Sequence, residues 1–412
     1  MLDANGKVQV MSTLKRTALP AFLLAALILP AAAQEAPRIP GHDLYAIDGA
    51  RKEVDGAVTF AMIGNTRGSL RALDSRGAVS GVSQMLMTDI QSQVGQTDGP
   101  EFLVMMGDHV RGGSTLEWRR LDRRLSRLLA GTSLTEDVGL TSLPVAGDRE
   151  RRGDDRLAHW GEAFPGVGVD IGYSRVASWY GFDIVSRGHT WRVLVLDTGK
   201  AKLGSRWGEQ LDWLTEEAAG RFDSLLVLMH DPVLDLSTKP SNRDGAPLEL
   251  METIEEATSM RKIRGVFAAG SHANQALLPD GPLGSLYINA GGGGAPADDL
   301  RRWGAASDAG RSEDIHLEPM FDLSLLSAFN AWSDVHMIPE SVMDEARASG
   351  NFEGFVGSLS SKHLPTYGWW KVVLDGEEAS LLFRHRMPNG DIADRYQVSY
   401  TDADGWKGNS RP

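Results

Sequence analysis

Seven short apolar runs are spread along the chain, and each run ends in a small or polar residue. In order, the runs are Val58–Gly64, Phe102–Gly107, Leu143–Gly147, Arg192–Asp197, Ser224–His230, Arg264–Gly270 and Leu286–Ala290. Continuous apolar runs of this length are typical of strands that are buried on both faces. Helical patterns lie between them, around Leu121–Leu129 and over Trp207–Ala219. Because strands and helices alternate, the sequence predicts a layered α/β fold.

Three further runs near the C-terminus predict an antiparallel meander. They are Trp369–Leu374, Ala379–Arg384 and Ile392–Tyr400. The dipeptides Asp375-Gly376 and Asn389-Gly390 separate them, and dipeptides of this kind are typical of tight hairpin turns.

The N-terminus has the composition of an export signal. Lys15 and Arg16 precede the apolar run Ala18–Pro30, and Ala31-Ala32-Ala33 follows it. The run is shorter than the ~20 apolar residues that a membrane-spanning helix needs. We therefore expect cleavage before Gln34 rather than anchoring, and a periplasmic or secreted protein with no membrane contact after cleavage.

The chain is expected to contain one domain, because no linker is long enough to demand a boundary. We expect a signal peptide at residues 1–33, a leader at 34–56, the main domain at 57–400 and a C-terminal tail at 401–412. An insert is expected within the main domain at about 298–362.

Composition excludes several classes of function. There are 42 Lys and Arg against 55 Asp and Glu, a net charge of −13, which argues against binding to nucleic acid or to anionic lipid. Cysteine is absent. Disulfides, thiolate metal sites, Fe–S clusters and a cysteine nucleophile are therefore excluded.

Polar and charged residues follow five of the predicted strands. They are Asn65-Thr66-Arg67, Asp108, Asp148-Arg149-Glu150, His230 and His272. In open α/β sheets, ligands bind beyond the carboxyl ends of the strands. A single residue of this kind is more often a helix cap or a satisfied core group, but five in succession predict one polar centre.

These blocks resemble the signature of the calcineurin-like metallophosphoesterases, including the purple acid phosphatase branch. That signature runs D-x-H, G-D, G-N-H-[DE], a lone H and G-H-x-H. Here Gly107-Asp108 retains the second block, Gly147 and Glu150 retain the ends of the third, and His230 matches the lone histidine. The resemblance covers about residues 57–300 and the terminal meander. It implies two packed mixed sheets flanked by helices, a two-metal centre and hydrolysis of phosphoric esters.

Four positions depart from that signature. Asn65 replaces the aspartate of the first block, Arg67 replaces its histidine, and Arg149 replaces the histidine of the third block. If His272 is the second histidine of the last block, Gly270 replaces the first. If Gly270 is instead the glycine of that block, both histidines are lost; we favour the former alignment.

The resemblance leaves four residues to bind metal and to act in catalysis, namely Asp108, Asp148, His230 and His272. They could hold one divalent ion, Mn, Fe or Zn, but hardly two, so we expect one ion or none. Asn65, Arg67 and Arg149 are expected to contact a ligand. Two interpretations stay open: a fixed cluster of Asp–Arg ion pairs, or a cationic pocket in which arginine binds phosphate or another small anion.

Three classes of function remain: a hydrolase with one or two metals, a degenerate relative that binds an anion or only stabilises the fold, and an interaction protein that uses the insert. Because each of the four departures removes or weakens a group that the two-metal mechanism uses, we favour impaired two-metal catalysis. Weaker motifs are Gly64–Gly68, which imitates a nucleophile elbow around Thr66, the glycine run Gly291–Gly294, and Asp334-Val335-His336.

Overall fold

The computed structural model of the protein describes residues 50–67, 79–129, 140–153, 157–164, 167, 177–233, 245–272, 274–279, 284–295, 359–364, 367–386 and 391–410. The chain divides into two units, residues 1–34 and 35–412, and every described residue belongs to the second unit. Among the described helices, none combines the length and the apolar character that crossing a bilayer requires.

Fifteen strands lie within the described residues. They are β1 (Ala50–Val54), β2 (Val58–Ile63), β3 (Phe102–Met105), β4 (Thr141–Pro144), β5 (Tyr180–Ser186), β6 (His189–Val195), β7 (Ser224–Leu228), β8 (Ile263–Ala268), β9 (Asn274–Pro279), β10 (Leu286–Ala290), β11 (Leu359–Leu364), β12 (Gly368–Asp375), β13 (Glu378–Arg386), β14 (Ile392–Thr401) and β15 (Gly405–Ser410).

The helices flank these strands. In the same described part of the chain they are α1 (Val79–Gln93), α2 (Thr115–Leu129), α3 (Asp148–Arg151), α4 (Ala158–Ala163), α5 (Lys200–Leu203), α6 (Arg206–Ala218) and α7 (Ala246–Ala257), with a 3-10 turn at Met260–Lys262.

The strands form two mixed sheets. One has eight strands in the order β1-β5-β6-β7-β8-β10-β9-β11, and the other has seven in the order β15-β14-β13-β12-β2-β3-β4. Parallel pairing joins β6, β7, β8 and β10 in the first sheet and β2, β3 and β4 in the second. The predicted α/β fold class, two mixed sheets flanked by helices, is confirmed.

The strand β7 shows why the central runs are apolar throughout. Leu226 and Leu228 belong to the core between the two sheets. Leu225 and Val227 point the other way, into the core under α6 and α7. Successive side chains of a strand alternate between its faces, so a strand that is covered on both sides needs an apolar residue at every position.

The C-terminal meander is confirmed by the antiparallel pairs β12–β13 and β13–β14. The first turn is formed by Gly376 and Glu377, one residue beyond the predicted Asp375-Gly376. The second predicted turn, Asn389-Gly390, lies outside the described residues.

Five of the described strands were not predicted, namely β1, β5, β9, β11 and β15. Of these, β1 lies in the expected leader and pairs with β5, and β15 lies in the expected tail and pairs with β14. Neither β1 nor β15 has an apolar run, which is why the pattern missed these two.

The expected insert lies outside the described residues up to position 358, and so does Asp334-Val335-His336. Its last residues contribute to β11, which pairs with β9. The expected signal peptide, residues 1–33, also lies outside the described residues.

Candidate functional site

The ends of strands from both sheets meet at one place, as the order of the polar blocks predicted. The N–H of Gly64, after β2, donates to Ala290 O at 3.0 Å, and that of Asn65 donates to Gly107 O at 2.9 Å. The N–H of Ala269, after β8, donates to His230 O at 2.9 Å. A Cβ on Gly64 would overlap the Cβ of Ala269, so this close approach of the sheets requires glycine.

The guanidinium of Arg67 lies at the centre of this cluster. Its Nη1 donates to Asn65 Oδ1 at 2.9 Å and to Asp108 Oδ2, and its Nη2 donates to His272 Nε2. Arginine only donates hydrogen bonds, so His272 Nε2 is the acceptor and the ring proton is on Nδ1. Arg67 is 7% exposed and Asp108 is 4% exposed. Asn65, Asp108 and His272 stand at positions where the family signature has metal ligands, and here they bind a side-chain cation instead.

Both carboxylate oxygens of Asp108 have further neighbours besides Arg67. Oδ1 accepts the backbone N–H of Arg149 at 2.8 Å and lies 3.5 Å from His230 Nε2. Oδ2 lies 3.7 Å from Nε of Arg149. Asp108 has a φ of +58°, in the left-handed region that Asp and Asn tolerate better than most residues. This backbone turn directs the carboxylate at two arginines and a histidine.

His230 is held against the loop that carries Asp108. Its Nδ1 donates to Met106 O at 2.8 Å, which leaves Nε2 facing Asp108. Gly107 lies beside the ring with a φ of +88°, and a Cβ there would come within 2.5 Å of His230 Nδ1. Glycine is therefore required at this position of the G-D block by both its backbone and its neighbour.

The carboxylate of Glu150 binds the backbone of the loop that carries Asp108. It accepts the N–H groups of Asp108 at 2.9 Å, His109 at 2.8 Å and Val110 at 3.3 Å, and also that of Gly147 at 3.0 Å. Burial raises the pKa of Glu150, and the charge of His230 together with these backbone hydrogen bonds opposes the rise. The last residue of the third block thus positions Asp108. From the sequence, Glu150 was identified only as a match to the third block of the signature, and its role in positioning Asp108 was not predicted.

Asp148 does not join the buried cluster. It begins α3 and is exposed, whereas the N–H and the guanidinium of the next residue, Arg149, face Asp108. Successive residues of a helix point about 100° apart, so a chain that turns Arg149 towards Asp108 turns Asp148 away. Of the four predicted ligands, the structure brings together Asp108, His230 and His272.

A second buried ion pair fixes α3. Nη2 of Arg151 donates to Asp197 Oδ2, and Ser178 Oγ donates to the same oxygen. The other oxygen of Asp197 accepts the N–H of Gly199 at 2.8 Å. Sequence reasoning missed Arg151, because its only signal is that it follows the third block.

The hydrogen bonds of His109, the histidine beside Thr66, do not support the nucleophile-elbow interpretation. Gly107 N–H donates to His109 Nε2 at 3.0 Å, so the ring proton is on Nδ1. Nδ1 lies 2.6 Å from Thr66 Oγ1 and donates to it. A ring that donates to this hydroxyl cannot accept its proton, so His109 does not activate Thr66 as a base.

The residues present do not fit a two-metal centre. The lone pairs of Asn65, Asp108 Oδ2 and His272 are directed at Arg67, which has none to offer a metal ion. In the part of the chain that the structure describes, no group of three or more His, Asp or Glu side chains is placed to hold a metal. Occupancy by one ion or none stays a prediction.

No protein-family model matches the chain, and no curated protein matches it. Solved structures do resemble it. The structure of PhoD is 9% identical, with a TM-score of 0.48, over 88% of this chain and 73% of that one. GAP50, the anchor in the inner membrane complex of Plasmodium, is 12% identical, with a TM-score of 0.47, over 82% of this chain and 88% of that one.

The purple acid phosphatase PPD1 from yellow lupin (Lupinus luteus) seeds is 13% identical to this chain, with a TM-score of 0.50. The match covers 84% of this chain and 54% of the lupin chain, so this chain spans about half the length of that protein. Identity this low shows the fold alone. The chain therefore has two mixed sheets flanked by helices, in an arrangement similar to metallophosphoesterase folds.

Proposed function

We propose that this protein uses a phosphoesterase-type fold to bind phosphate or another small anion without metal, and that two-metal hydrolysis of phosphoric esters is impaired. The observation that carries the proposal is the position of Arg67, whose guanidinium binds Asn65, Asp108 and His272 together. Arg149 and Gly270 likewise stand where the signature of the two-metal enzymes has histidines.

A guanidinium cannot replace a metal ion in catalysis. Two-metal enzymes turn a bridging water into hydroxide and clamp the phosphoryl oxygens between the ions. Arg67 carries one delocalised charge and offers no coordination position, so it cannot do the first of these tasks. For an ion to take its place, the 7% exposed guanidinium would have to leave its buried partners. Hydrolysis by the two-metal route is therefore disfavoured.

Arg149 supports the binding of an anion. Its side chain is 34% exposed, and its Nε lies 3.7 Å from Asp108 Oδ2, longer than a hydrogen bond. The guanidinium of Arg149 can therefore turn towards a ligand that approaches from solvent, while Arg67 stays paired with Asp108 and neutralises its charge. Arginine matches phosphate geometry with two parallel donors. That the lupin neighbour is a phosphatase by name supports a phosphoryl group as the ligand.

The proposal extends to location and partners. We infer export with a cleaved signal peptide, a small anionic ligand, and no nucleic-acid or membrane partner for the mature chain, from the signal-like N-terminus and the net charge of −13. The insert, the other candidate surface, falls outside the described residues up to position 358, so the proposal rests on Arg67 and Arg149.

Titration calorimetry with metal-stripped protein tests the binding function. Inorganic phosphate should bind the parent, and more weakly as salt is raised. Arg149→Gln should weaken binding by about tenfold, the equivalent of one charge-assisted hydrogen bond. Arg261→Gln, an exposed arginine outside the cluster, is the matched control and should bind as the parent does. Binding that needs added metal, or that survives Arg149→Gln unchanged, would show the proposal to be wrong.

A further inference from the structure

A threonine, a histidine and a glutamate form a line of hydrogen bonds where α2 and α4 meet. Thr115 is the first residue of α2, and its Oγ1 lies 3.3 Å from His159 Nε2. His159 Nδ1 lies 2.9 Å from Glu162 Oε2, and the two residues are three positions apart on α4, so they share one side of that helix. We call Thr115, His159 and Glu162 the hydroxyl triad.

The glutamate determines which nitrogen of His159 carries the ring proton. A carboxylate only accepts hydrogen bonds, so Nδ1 is protonated and donates to Glu162. Nε2 of the neutral ring is then an acceptor, and the hydroxyl of Thr115 donates to it. At His109 and Thr66 the direction is the opposite, because there the ring donates to the hydroxyl. His159 is therefore oriented to take the proton of Thr115, which is the role of a general base.

Buried aromatic rings pack α2 against α4 next to the hydroxyl triad. Trp118, one turn after Thr115, has its ring centroid 5.9 Å from that of Phe164. The ring of Trp160, next to His159 in the chain, lies 5.7 Å from the same phenylalanine. All three rings are at most 2% exposed. Because close packing fixes the separation of the two helices, it also fixes the separation of Thr115 and His159.

The hydroxyl triad is open to solvent, so a substrate can reach it. The side chains of His159 and Glu162 are 31% and 40% exposed, and Thr115 is half-buried. The N–H groups of the first helical turn have no acceptor within the helix, and that of Leu116, the residue after Thr115, belongs to this turn. In acyl-transfer sites, an N–H one residue after the nucleophile is a common donor to the oxyanion.

We propose that the hydroxyl triad is a second site, which hydrolyses carboxylic esters through an acyl-threonine intermediate. Leu116 is 54% exposed, so an apolar acyl group would have an apolar side chain to contact beside Thr115. The activity is independent of the proposed anion binding, because none of these residues contacts Arg67 or Arg149 in the cluster around Asp108.

The reaction uses only the ester and water. Thr115 Oγ1 forms a bond to the carbonyl carbon while His159 Nε2 takes its proton, and the carbonyl oxygen receives the electron pair of the C=O bond. That pair returns as the bond to the alcohol oxygen breaks, and Nε2 gives its proton to the departing alcohol. Water then attacks the acyl carbon, Nε2 takes a proton from the water, and Thr115 leaves with that proton as the acid is released. Glu162 stabilises the charged ring during both steps.

Turnover of p-nitrophenyl acetate by the full chain tests the proposal. Thr115→Val removes the nucleophile at nearly constant shape, and His159→Gln removes the base, so each should lower kcat/KM by about 100-fold or more. Thr115→Ser keeps a hydroxyl and should retain turnover. Thr88→Val, at an exposed threonine of α1, is the matched control and should behave as the parent does. Equal kcat/KM values for the parent and Thr115→Val would overturn the proposal.

Labelling with a fluorophosphonate gives a readout that a structural role for Thr115 would not produce. The hydroxyl oxygen displaces fluoride from phosphorus and leaves a stable ester, which peptide mass spectrometry locates. The parent should carry the label on Thr115, and His159→Gln should not, although circular dichroism shows it to be folded. A parent without label on Thr115, or equal labelling of that residue in His159→Gln, would show that the hydroxyl triad does not activate a nucleophile.

Discussion

Arg67 and Asp108, 41 residues apart in the chain, form a buried ion pair where the ends of β2 and β3 meet. Their side chains are 8% and 5% exposed, so water does little to screen or to replace the interaction. Breaking a buried pair by removing one partner leaves a charge without compensation, which is far more costly than losing a surface pair. This pair explains both the stability of the cluster and its poor fit to two metal ions.

Replacing Arg67 by methionine should destabilise the protein by about 3–5 kcal/mol, because Asp108 would be left buried beside one distant guanidinium. Urea unfolding of parent and variant measures the difference. Added Zn²⁺ or Mn²⁺ should recover part of the loss in the variant, since the oxygen and nitrogen atoms that Arg67 occupied become available to an ion.

The matched control is Arg51→Met, which removes an arginine whose side chain is 52% exposed. Its effect should stay within about 0.5 kcal/mol. If Arg67→Met costs no more than the control, Arg67 does not neutralise Asp108 and the account of the cluster is wrong.

The pair of Arg151 and Asp197 should show strong energetic coupling. Arg151→Met alone should cost about 3–5 kcal/mol, because it strands a fully buried carboxylate. A double-mutant cycle with Asp197→Asn should give a coupling energy of about 0.5–3 kcal/mol. Strictly additive losses, measured by urea unfolding, would mean that the two side chains do not stabilise each other.

His189 should make the protein less stable as the solution is acidified. Burial lowers its pKa below the usual 6.5, while the charges of Asp223, Asp402 and Glu377 oppose the shift. The unfolded chain therefore binds the proton more readily than the folded chain, so stability is full above pH 6.5 and falls as pH drops towards the folded pKa.

His189→Gln should flatten that pH dependence while keeping a polar partner for Ser224, whose Oγ lies 2.9 Å from His189 Nε2. Urea midpoints measured across this range test it. Parallel profiles for parent and variant would assign the acid sensitivity to other groups.

Parts of the fold and site could be predicted from sequence because each depends on local pattern. The run before His230 is apolar throughout because β7 is covered on both faces, and strand ends converge because sheet geometry requires it. The exposure of Asp148 could not be predicted, since it depends on which way the first turn of α3 faces. The role of Glu150 was equally hidden, because its partners are backbone N–H groups of a loop about forty residues away.

Arg67 is an intermediate case. The sequence predicted that an arginine replaces a metal-binding histidine, and it left open a fixed ion-pair cluster or an anion pocket. The direction of a long, flexible side chain is set by its neighbours in space. Only the structure shows that the guanidinium reaches Asn65, Asp108 and His272 together.

Export should remove residues 1–33. The basic pair Lys15-Arg16, the apolar run and Ala31-Ala32-Ala33 are the features that a signal peptidase system reads. Intact-mass analysis of secreted or periplasmic protein should give a chain that begins at Gln34. A full-length product in the cytoplasm would contradict the prediction.

Restoring the signature should restore metal binding. Asn65→Asp, Arg67→His, Arg149→His and Gly270→His together replace a neutral ligand, two cations and a glycine by metal ligands of the usual type. The combined variant should bind more metal than the parent, approaching two ions per chain. An unchanged metal content would show that Gly270 and His272 do not correspond to the last block of the signature.

The most direct test is the metal content of the unmodified purified protein, measured together with its turnover of aryl phosphate mono- and diesters in the presence of Mn²⁺, Fe or Zn²⁺. Because Arg67 occupies the ligand atoms of Asn65, Asp108 and His272, the account predicts at most one tightly bound ion per chain and slight or no hydrolysis. Two ions per chain with rapid, metal-dependent turnover would contradict it.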